Sequence, residues 1–195
     1  QAIGLALSGG GIRAAVFHLG VLRQLASQGL FERIAYVSTV SGGSLLTGLV
    51  YHHAGNWHWP SSSEFLQSVH PRVKCTLCSS NLQSKLKWDL IKPWNWMEYA
   101  PARARLLAMR LAKTWELNAQ LGEFTGVPGW EIGATDIEYG TRFVFRIAGT
   151  RARSCEFGVP GQYRDAKSVW LADALAASAA FPGAFSPLEL PRLPS

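Results

Sequence analysis

Short apolar runs alternate with glycine-containing turns and helical patterns over the first part of the chain, and this alternation constrains the fold more than any other feature. Residues 3–7 are apolar and are followed almost directly by three glycines, which predicts a buried strand ending in a tight loop. Residues 12–28 have a helical apolar period, residues 34–40 are β-branched and aromatic, and residues 44–53 are again helical in pattern. This succession predicts an α/β fold with a mainly parallel sheet covered by helices.

The remainder of the chain divides into a region of unusual composition and a second set of predicted elements. Residues 55–120 are rich in tryptophan and proline and show little periodicity before about residue 102, so we interpret them as a cap inserted into the core. Further strands are predicted at 130–135 and 142–147, a loop at 148–165, and an alanine-rich helix at 169–180. We expect a single domain over residues 1–195.

The charge balance favours an anionic partner. The net charge is +6, which suits nucleic acid or an acidic membrane surface, although scattered basic residues are equally well explained as a solvated surface. Eight tryptophans accompany them, and tryptophan with lysine and arginine is an interfacial composition, which favours a membrane over nucleic acid. No apolar run is long enough to span a bilayer and no signal peptide is visible, so we expect a cytoplasmic protein with peripheral membrane contact.

An interfacial surface is predicted within the cap. Its members are Trp57, Trp59, Trp88, Trp94, Trp96, Lys85, Lys87 and Lys92. The alternative is that these tryptophans fill the core of the cap. The sequence indicates no oligomeric state.

The three cysteines are too few for a disulfide framework, and they fit a reducing compartment. Cys75 and Cys78 form a C-x-x-C pair with His70 upstream, and a zinc site there would need a fourth ligand such as Cys155. One such pair is weak evidence for a metal or redox role, and unrelated thiols are the simpler interpretation. We therefore expect no metal and no cofactor.

Ser41 stands at the junction between a predicted strand and a predicted helix, followed by two glycines. A serine at such a turn is exposed, and the helix N-terminus places partial positive charge beneath its developing alkoxide. The nucleophile pattern G-x-S-x-G keeps its second glycine at Gly43, whereas Thr39 stands where the first glycine is expected. The alternative is a strand-to-helix turn in which Ser41 only caps the helix.

The run Gly9, Gly10 and Gly11 precedes the first helix and leaves backbone N–H groups free to point at one oxygen, which suits an oxyanion. A phosphate loop is the competing interpretation. A P-loop requires G-K-[ST], which is absent, and a dinucleotide fingerprint requires glycine where Ala14 stands and an acidic residue near position 34. The nearest acidic residue there is Glu32, so nucleotide binding is disfavoured.

The two motifs together, a glycine-rich loop after the first strand and a serine turn after the second, resemble the patatin-like phospholipases. The matching segments are 8–13, 18–22, 40–44, 134–136 and 177–182. The resemblance covers most of residues 3–54 and 130–187, and the cap matches only loosely. It implies a three-layer α/β/α core and a Ser-Asp dyad that hydrolyses lipid esters, in the manner of a phospholipase A or a lysophospholipase.

The resemblance also implies roles for individual residues. Ser41 would attack the ester carbonyl of a phospholipid or related lipid. The oxyanion would be held by amides of the glycine run with Gly42 just after the nucleophile. Arg13 matches a basic residue beside that loop in the family and would meet the lipid phosphate; the alternative for Arg13 is a surface ion pair.

The general base is the point at which the sequence departs from the family. The dyad aspartate of the family lies in a D-G-[GA] motif after the alanine-rich helix, and no such motif occurs here. The aspartates present are Asp89, Asp136, Asp165 and Asp173. Asp136 matches a structural position of the family and Asp173 lies inside the helix, so we expect a domain truncated on its C-terminal side, with the base beyond Ser195. The alternative is a catalytically inactive module that keeps the fold and binds lipid or another partner.

A serine esterase with a histidine base is a second enzymatic alternative. The histidines are His18, His52, His53, His58 and His70. We interpret His18, on the first helix, as structural. An α/β-hydrolase places its acid and then its histidine after the serine, whereas no histidine follows Asp136, so the order argues against this alternative.

Overall fold

A computed structural model of the chain describes residues 1–79, 103–124, 126, 128–147, 149, 155–180 and 187–188. The strands are β1 (Ile3–Leu7), β2 (Ile34–Val40), β3 (Gly129–Asp136), β4 (Thr141–Ile147), β5 (Glu156–Val159) and β6 (Gln162–Asp165). The helices of this part are α1 (Gly11–Ser27), α2 (Gly42–Ala54), α3 (Ser62–Glu64), α4 (His70–Ser79), α5 (Arg103–Thr114) and α6 (Leu171–Ala179). The strands form one mixed sheet flanked by helices, consistent with the α/β/α fold that the sequence predicts.

The sheet is parallel on one side and antiparallel on the other. β1 pairs with β2, and β2 with β3, in parallel, because the chain crosses back along α1 and α2 between these strands. β3 to β6 pair antiparallel in the order of the chain. The sheet is therefore mixed where the sequence predicts a mainly parallel one, since short connections such as residues 137–140 can only reverse the chain direction.

The loop predicted at 148–165 is wrong, because β5 and β6 form a hairpin within it. Val159 pairs directly with Gln162, and the two residues between them, Pro160 and Gly161, make the turn. Gly161 has φ of 90°, a left-handed value that glycine adopts without steric cost. A Pro-Gly dipeptide between two short runs is a turn signal, and it marks this hairpin in the sequence.

Residues 62–79 are helical, although no helix is predicted there. The Ser61 hydroxyl accepts a hydrogen bond from the Glu64 N–H, and the Glu64 carboxylate accepts one from the Ser61 N–H, which together start the helix. A π-helical segment, Phe65–Val69, follows and joins α4. The buried residues recur every four positions, so one row of this helical segment faces the core: Phe65, Val69, Val73 and Leu77. Pro71, a residue disfavoured inside helices, obscures the segment in the sequence.

α2 forms the centre of the core. All residues from Gly42 to Tyr51 are buried, so this helix has no long polar face. Gly48 lies against α6, where an added Cβ would come within 2.9 Å of the Leu175 Cδ1. Interiors packed this closely resist displacement, so the start of α2 is held firmly at the end of β2.

Two of the tryptophans assigned to the interfacial surface lie in an aromatic cluster instead. Tyr51 stacks on Trp130 at 5.3 Å between ring centroids and meets Trp59 edge-on at 5.4 Å. The Trp57 ring lies 5.4 Å from that of Phe124. Trp57 and Trp59 therefore pack against the core, as the alternative interpretation of the cap tryptophans states. The other members of the predicted surface fall outside the described residues: Trp88, Trp94, Trp96, Lys85, Lys87 and Lys92.

The described helices include none with the length and apolar character needed to cross a bilayer.

His53 lies near the end of α2, and its pKa reports on how closely the surroundings of this helix are packed. Burial lowers the pKa of His53 to about 4, and the nearby His52 and Arg72 add to this effect. Because an unfolded histidine binds its proton near pH 6.5, the stability that neutral His53 contributes is complete above that pH and is lost as the pH falls toward 4.

We therefore expect the free energy of unfolding to decrease between these two pH values, and to decrease less in His53→Gln. Glutamine keeps a polar group for the Thr76 hydroxyl, which lies 2.9 Å from the His53 Nε2. Urea titrations of both proteins across this range measure the difference. Equal losses in the two proteins would show that His53 is not the group responsible.

Candidate active site

Ser41 occupies the sharp turn between β2 and α2. Its φ of 52° and ψ of −113° are rare for any residue except glycine, and such a conformation costs about 1–3 kcal/mol. Ser41 is the N-cap residue of α2, yet its side chain makes no capping hydrogen bond. The interpretation of Ser41 as a helix cap alone is therefore wrong, and its hydroxyl is not engaged in holding the helix.

The glycine run packs directly against this turn. A Cβ added at Gly42 would overlap the carbonyl oxygen of Gly11, and one added at Gly43 would overlap that of Leu7. A Cβ at Gly9 would lie 3.3 Å from the Cβ of Ser41. The loop and the serine turn, which lie apart in the sequence, therefore touch each other through positions that admit no side chain.

Two helix N-termini converge beside Ser41. α1 begins at Gly11 with Gly10 as its N-cap, and α2 begins at Gly42. The first N–H groups of a helix have no acceptor within it and carry the positive end of the helix dipole. Gly10 and Gly11 have φ of 133° and 65°, values that suit glycine and keep side chains out of this space. Such N–H groups are the donors that an oxyanion requires.

Buried hydroxyls connect the serine turn to α6. The Ser41 N–H donates a hydrogen bond to the Ser178 Oγ at 2.9 Å, and the Ser178 hydroxyl donates to the Gly133 carbonyl oxygen at 2.7 Å. The Ser44 Oγ lies 2.9 Å from the Ser178 Oγ. β3, α2 and α6 thus all meet beneath the turn.

Thr39 occupies the position where the nucleophile pattern has glycine. It is 1% exposed, its Oγ1 accepts a hydrogen bond from the Trp130 Nε1 at 2.9 Å, and it lies 2.9 Å from the Ser44 Oγ. The departure from the pattern therefore adds a hydroxyl to the buried network. Sequence reasoning missed Thr39, Ser44 and Ser178 as site residues; the available signal was a polar side chain inside an otherwise apolar strand or helix.

Arg13 and His18 lie on α1, which the glycine run precedes. Arg13 is exposed in the first turn, and no ion pair or hydrogen bond joins it to any residue of the described part. The surface ion pair considered for Arg13 thus has no partner there. His18 is 7% exposed, and its Nε2 lies 3.1 Å from the Ser8 carbonyl oxygen. This contact supports the residue before the glycine run, in agreement with a structural role.

Across the described ranges, no carboxylate or imidazole forms a hydrogen bond with Ser41. Asp136 and Asp165 each accept a hydrogen bond from the backbone N–H two residues further on. Asp173 is half-buried in the first turn of α6, and burial raises the pKa of its carboxyl. Asp89 falls outside the described residues. Asp136 and Asp165 therefore hold local turns.

The cysteines do not form a common site. Cys75 and Cys78 are exposed on α4, whereas Cys155 is buried with its Sγ 3.3 Å from the Leu121 carbonyl oxygen. Among the residues with described positions, no group of three or more histidine, cysteine, aspartate or glutamate side chains could hold a metal ion. The zinc site with Cys155 as fourth ligand is therefore not supported.

A family model for patatin-like phospholipases matches residues 5–192. The chain belongs to the patatin-like phospholipase family. The match includes the glycine run, the Ser41 turn and α6, so every element that meets around Ser41 lies within the matched region of this patatin-like chain. No curated protein sequence matches the chain.

The fold of this patatin-like chain is shared by a solved structure of a human phospholipase. Human GIVD cytosolic phospholipase A2 in complex with methyl gamma-linolenyl fluorophosphonate superposes with a TM-score of 0.60 at 16% identity, covering 91% of this chain and 29% of the human one. ExoU in its heterodimeric complex with SpcU, from the type III secretion system of Pseudomonas aeruginosa, gives a TM-score of 0.48 at 17% identity, covering 98% of this chain and 38% of ExoU. The chain thus spans well under half the length of either protein.

Proposed function

We propose that this domain is a serine hydrolase that cleaves acyl esters of phospholipids or related lipids, of the phospholipase A or lysophospholipase type, with Ser41 as its nucleophile. The observation that carries the proposal is the strained turn at Ser41 packed against the glycine run. A serine whose hydroxyl caps nothing has no structural reason to hold φ at 52°. Family membership supports a lipid ester as the substrate class.

The proposed chemistry requires the Ser41 hydroxyl, a general base and donors to an oxyanion. Its Oγ attacks the acyl carbonyl carbon while the hydroxyl proton passes to a general base, and the carbonyl oxygen becomes an oxyanion. Amides of Gly9, Gly10, Gly11 and Gly42 are the proposed donors to that oxyanion. Collapse of the intermediate expels the alcohol portion of the lipid, which takes up the proton. Water then hydrolyses the acyl-Ser41 ester and releases the fatty acid.

Release of fatty acid from phosphatidylcholine by the natural protein that carries this sequence tests the proposal. A diether analogue is the matched control, because it has the same headgroup and chains but no acyl carbonyl to attack. We expect fatty acid from the diacyl lipid and none from the diether lipid. Binding of both lipids without any fatty acid release would instead support the inactive lipid-binding module.

Arg13 is proposed to contact the lipid phosphate. Its exposed position in the first turn of α1 places a guanidinium near the glycine run, and guanidinium groups bind phosphate through paired hydrogen bonds. Arg13→Gln should lower kcat/KM about 10-fold for a phospholipid and leave hydrolysis of an uncharged p-nitrophenyl ester unchanged.

Arg23→Gln is the control for Arg13→Gln, since Arg23 is also exposed on α1 but lies near the other end of the helix. We expect it to leave both activities as in the unmodified protein. An equal loss on the phospholipid and the uncharged ester in Arg13→Gln would rule out a phosphate contact.

Peripheral contact with an acidic membrane is also proposed. The chain carries a net charge of +6, and α1 exposes 51% of Val16 and 69% of Phe17. Cosedimentation with phosphatidylserine vesicles should weaken several-fold between about 0.05 M and about 0.5 M salt, because the distance over which charges attract shortens from more than about 10 Å to less than about 10 Å. Phe17→Ser should weaken binding at both salt concentrations. Binding unaffected by salt would contradict an electrostatic contact.

A further inference from the structure

The geometry points to Ser178 as a positioning residue for the nucleophile. Its side chain, 8% exposed on α6, accepts the hydrogen bond of the Ser41 N–H at 2.9 Å. The two residues lie 137 positions apart in the chain, so this contact is a tertiary one. The inference rests on the proposed role of Ser41, and it concerns what holds the Ser41 turn in its strained conformation.

The direction of each hydrogen bond at Ser178 follows from proton counting. A serine hydroxyl has one proton and two lone pairs. The Ser178 proton points to the Gly133 carbonyl oxygen, which can only accept, at 2.7 Å. The Ser178 oxygen must therefore accept from both the Ser41 N–H and the Ser44 hydroxyl, which lies 2.9 Å away.

The same proton counting applies to the next residues of the network, Ser44 and Thr39. The Ser44 proton is committed to Ser178, so the Ser44 oxygen accepts from the Thr39 hydroxyl at 2.9 Å. The Thr39 oxygen in turn accepts from the Trp130 Nε1–H, a group that can only donate, at 2.9 Å. The single Thr39 proton is shared between two acceptors, because the Thr39 hydroxyl also donates to the Glu131 carbonyl oxygen at 3.2 Å. The series thus begins at the Trp130 Nε1–H, which can only donate, and ends at the Gly133 carbonyl oxygen, which can only accept.

The Ser178 oxygen therefore accepts from the Ser41 amide while its own proton goes to the Gly133 carbonyl oxygen. The residues that form this series are buried: Thr39, Ser44, Trp130 and Ser178. Loss of the Ser178 hydroxyl leaves the Ser41 N–H without its acceptor and lets the turn relax. The Ser41 Oγ then moves relative to the glycine run, which lowers kcat while substrate binding stays the same.

Ser178→Ala in the natural protein tests this role, with two controls. Ser62→Ala removes a serine of equal burial, 9% exposed, whose hydroxyl bonds to Glu32 and to the Phe31 N–H, away from this network. Ser44→Ala removes a hydroxyl of the network but keeps the contact between Ser178 and Ser41. We expect the rate of fluorophosphonate labelling and kcat to fall about 100-fold in Ser178→Ala, with KM unchanged, to fall less in Ser44→Ala, and to stay constant in Ser62→Ala.

Hydrogen exchange of the Ser41 amide, followed by NMR, gives a readout that does not depend on catalysis. Ser178→Ala should accelerate this exchange, whereas Ser62→Ala should not. Should Ser178→Ala fail to fold, Ser178→Cys keeps a similar volume with a weaker acceptor, and intermediate losses of labelling and of protection are expected.

The positioning role would be overturned if Ser178→Ala were labelled at the same rate as Ser62→Ala. The same holds for Ser178→Cys if that variant has to be used instead. Unchanged exchange of the Ser41 amide would also overturn it. Unmodified protein that carries a protected Ser41 amide but takes no label would refute the proposed function and leave the contact with Ser178 supported.

Discussion

Gly42→Ala should reduce lipid hydrolysis by at least about 100-fold and destabilise the fold by about 1–3 kcal/mol. The added methyl would overlap the carbonyl oxygen of Gly11, and the Gly11 carbonyl carbon would lie only 3.0 Å from it. Both are backbone atoms, so no side-chain rotation relieves the overlap. The glycine run and the serine turn must separate, and the proposed oxyanion donors come from both of them.

Gly20→Ala is the matched control for this prediction. Gly20 is exposed on α1, and an added Cβ there meets nothing within 4 Å. Alanine favours a helix over glycine by about 1 kcal/mol, so this variant should gain stability and keep its activity. Urea denaturation and kcat/KM measure both effects. Gly42→Ala with normal activity would show that the loop and the turn are not in contact as described.

Ser41→Ala and Ser41→Gly should each lower hydrolysis by about 10⁴-fold or more, because both remove the proposed nucleophile. Their stabilities should differ. Glycine adopts φ of 52° without steric conflict, whereas alanine keeps the strain, so Ser41→Gly should exceed Ser41→Ala by about 1 kcal/mol in the free energy of unfolding. Strain that is held at a functional residue is commonly relieved when that residue is replaced.

Ser27→Ala is the control for the two Ser41 variants, since Ser27 lies exposed at the end of α1 and its hydroxyl donates to the Gln24 carbonyl oxygen. It should retain full activity. A Ser41→Gly variant less stable than Ser41→Ala would contradict the strained turn, and full hydrolysis by either Ser41 variant would remove Ser41 from the mechanism.

The first two strands were predictable because the residues at their ends mark their boundaries in the sequence. β1 and β2 occupy the predicted positions, each an apolar run that ends where glycines allow a turn. The contact between the glycine run and Ser41 was also foreseeable, since parallel strands place their carboxyl ends at one edge of the sheet. Local composition therefore predicts the proposed nucleophile and its proposed oxyanion donors.

The features that escaped prediction depend on contacts between distant segments or on irregular geometry. Ser178 looks like one polar residue in an alanine-rich helix until the fold brings its hydroxyl to the Ser41 amide. The helical segment over residues 62–79 contains Pro71, a residue disfavoured inside helices, and a π-helical turn, Phe65–Val69. The β5–β6 hairpin is short and carries charged residues, so its strand pattern is weak, although its Pro-Gly turn is visible in the sequence.

The measurement that tests the central claim most directly is the intact mass of the natural protein after reaction with methyl gamma-linolenyl fluorophosphonate. This compound is the one bound in the structure of the human phospholipase that shares the fold, and fluorophosphonates react with activated serines. We expect one phosphonyl group per chain, located by peptide mapping on Ser41 and absent from Ser41→Ala. An unmodified mass for the natural protein, or a label that persists in Ser41→Ala, would contradict this expectation.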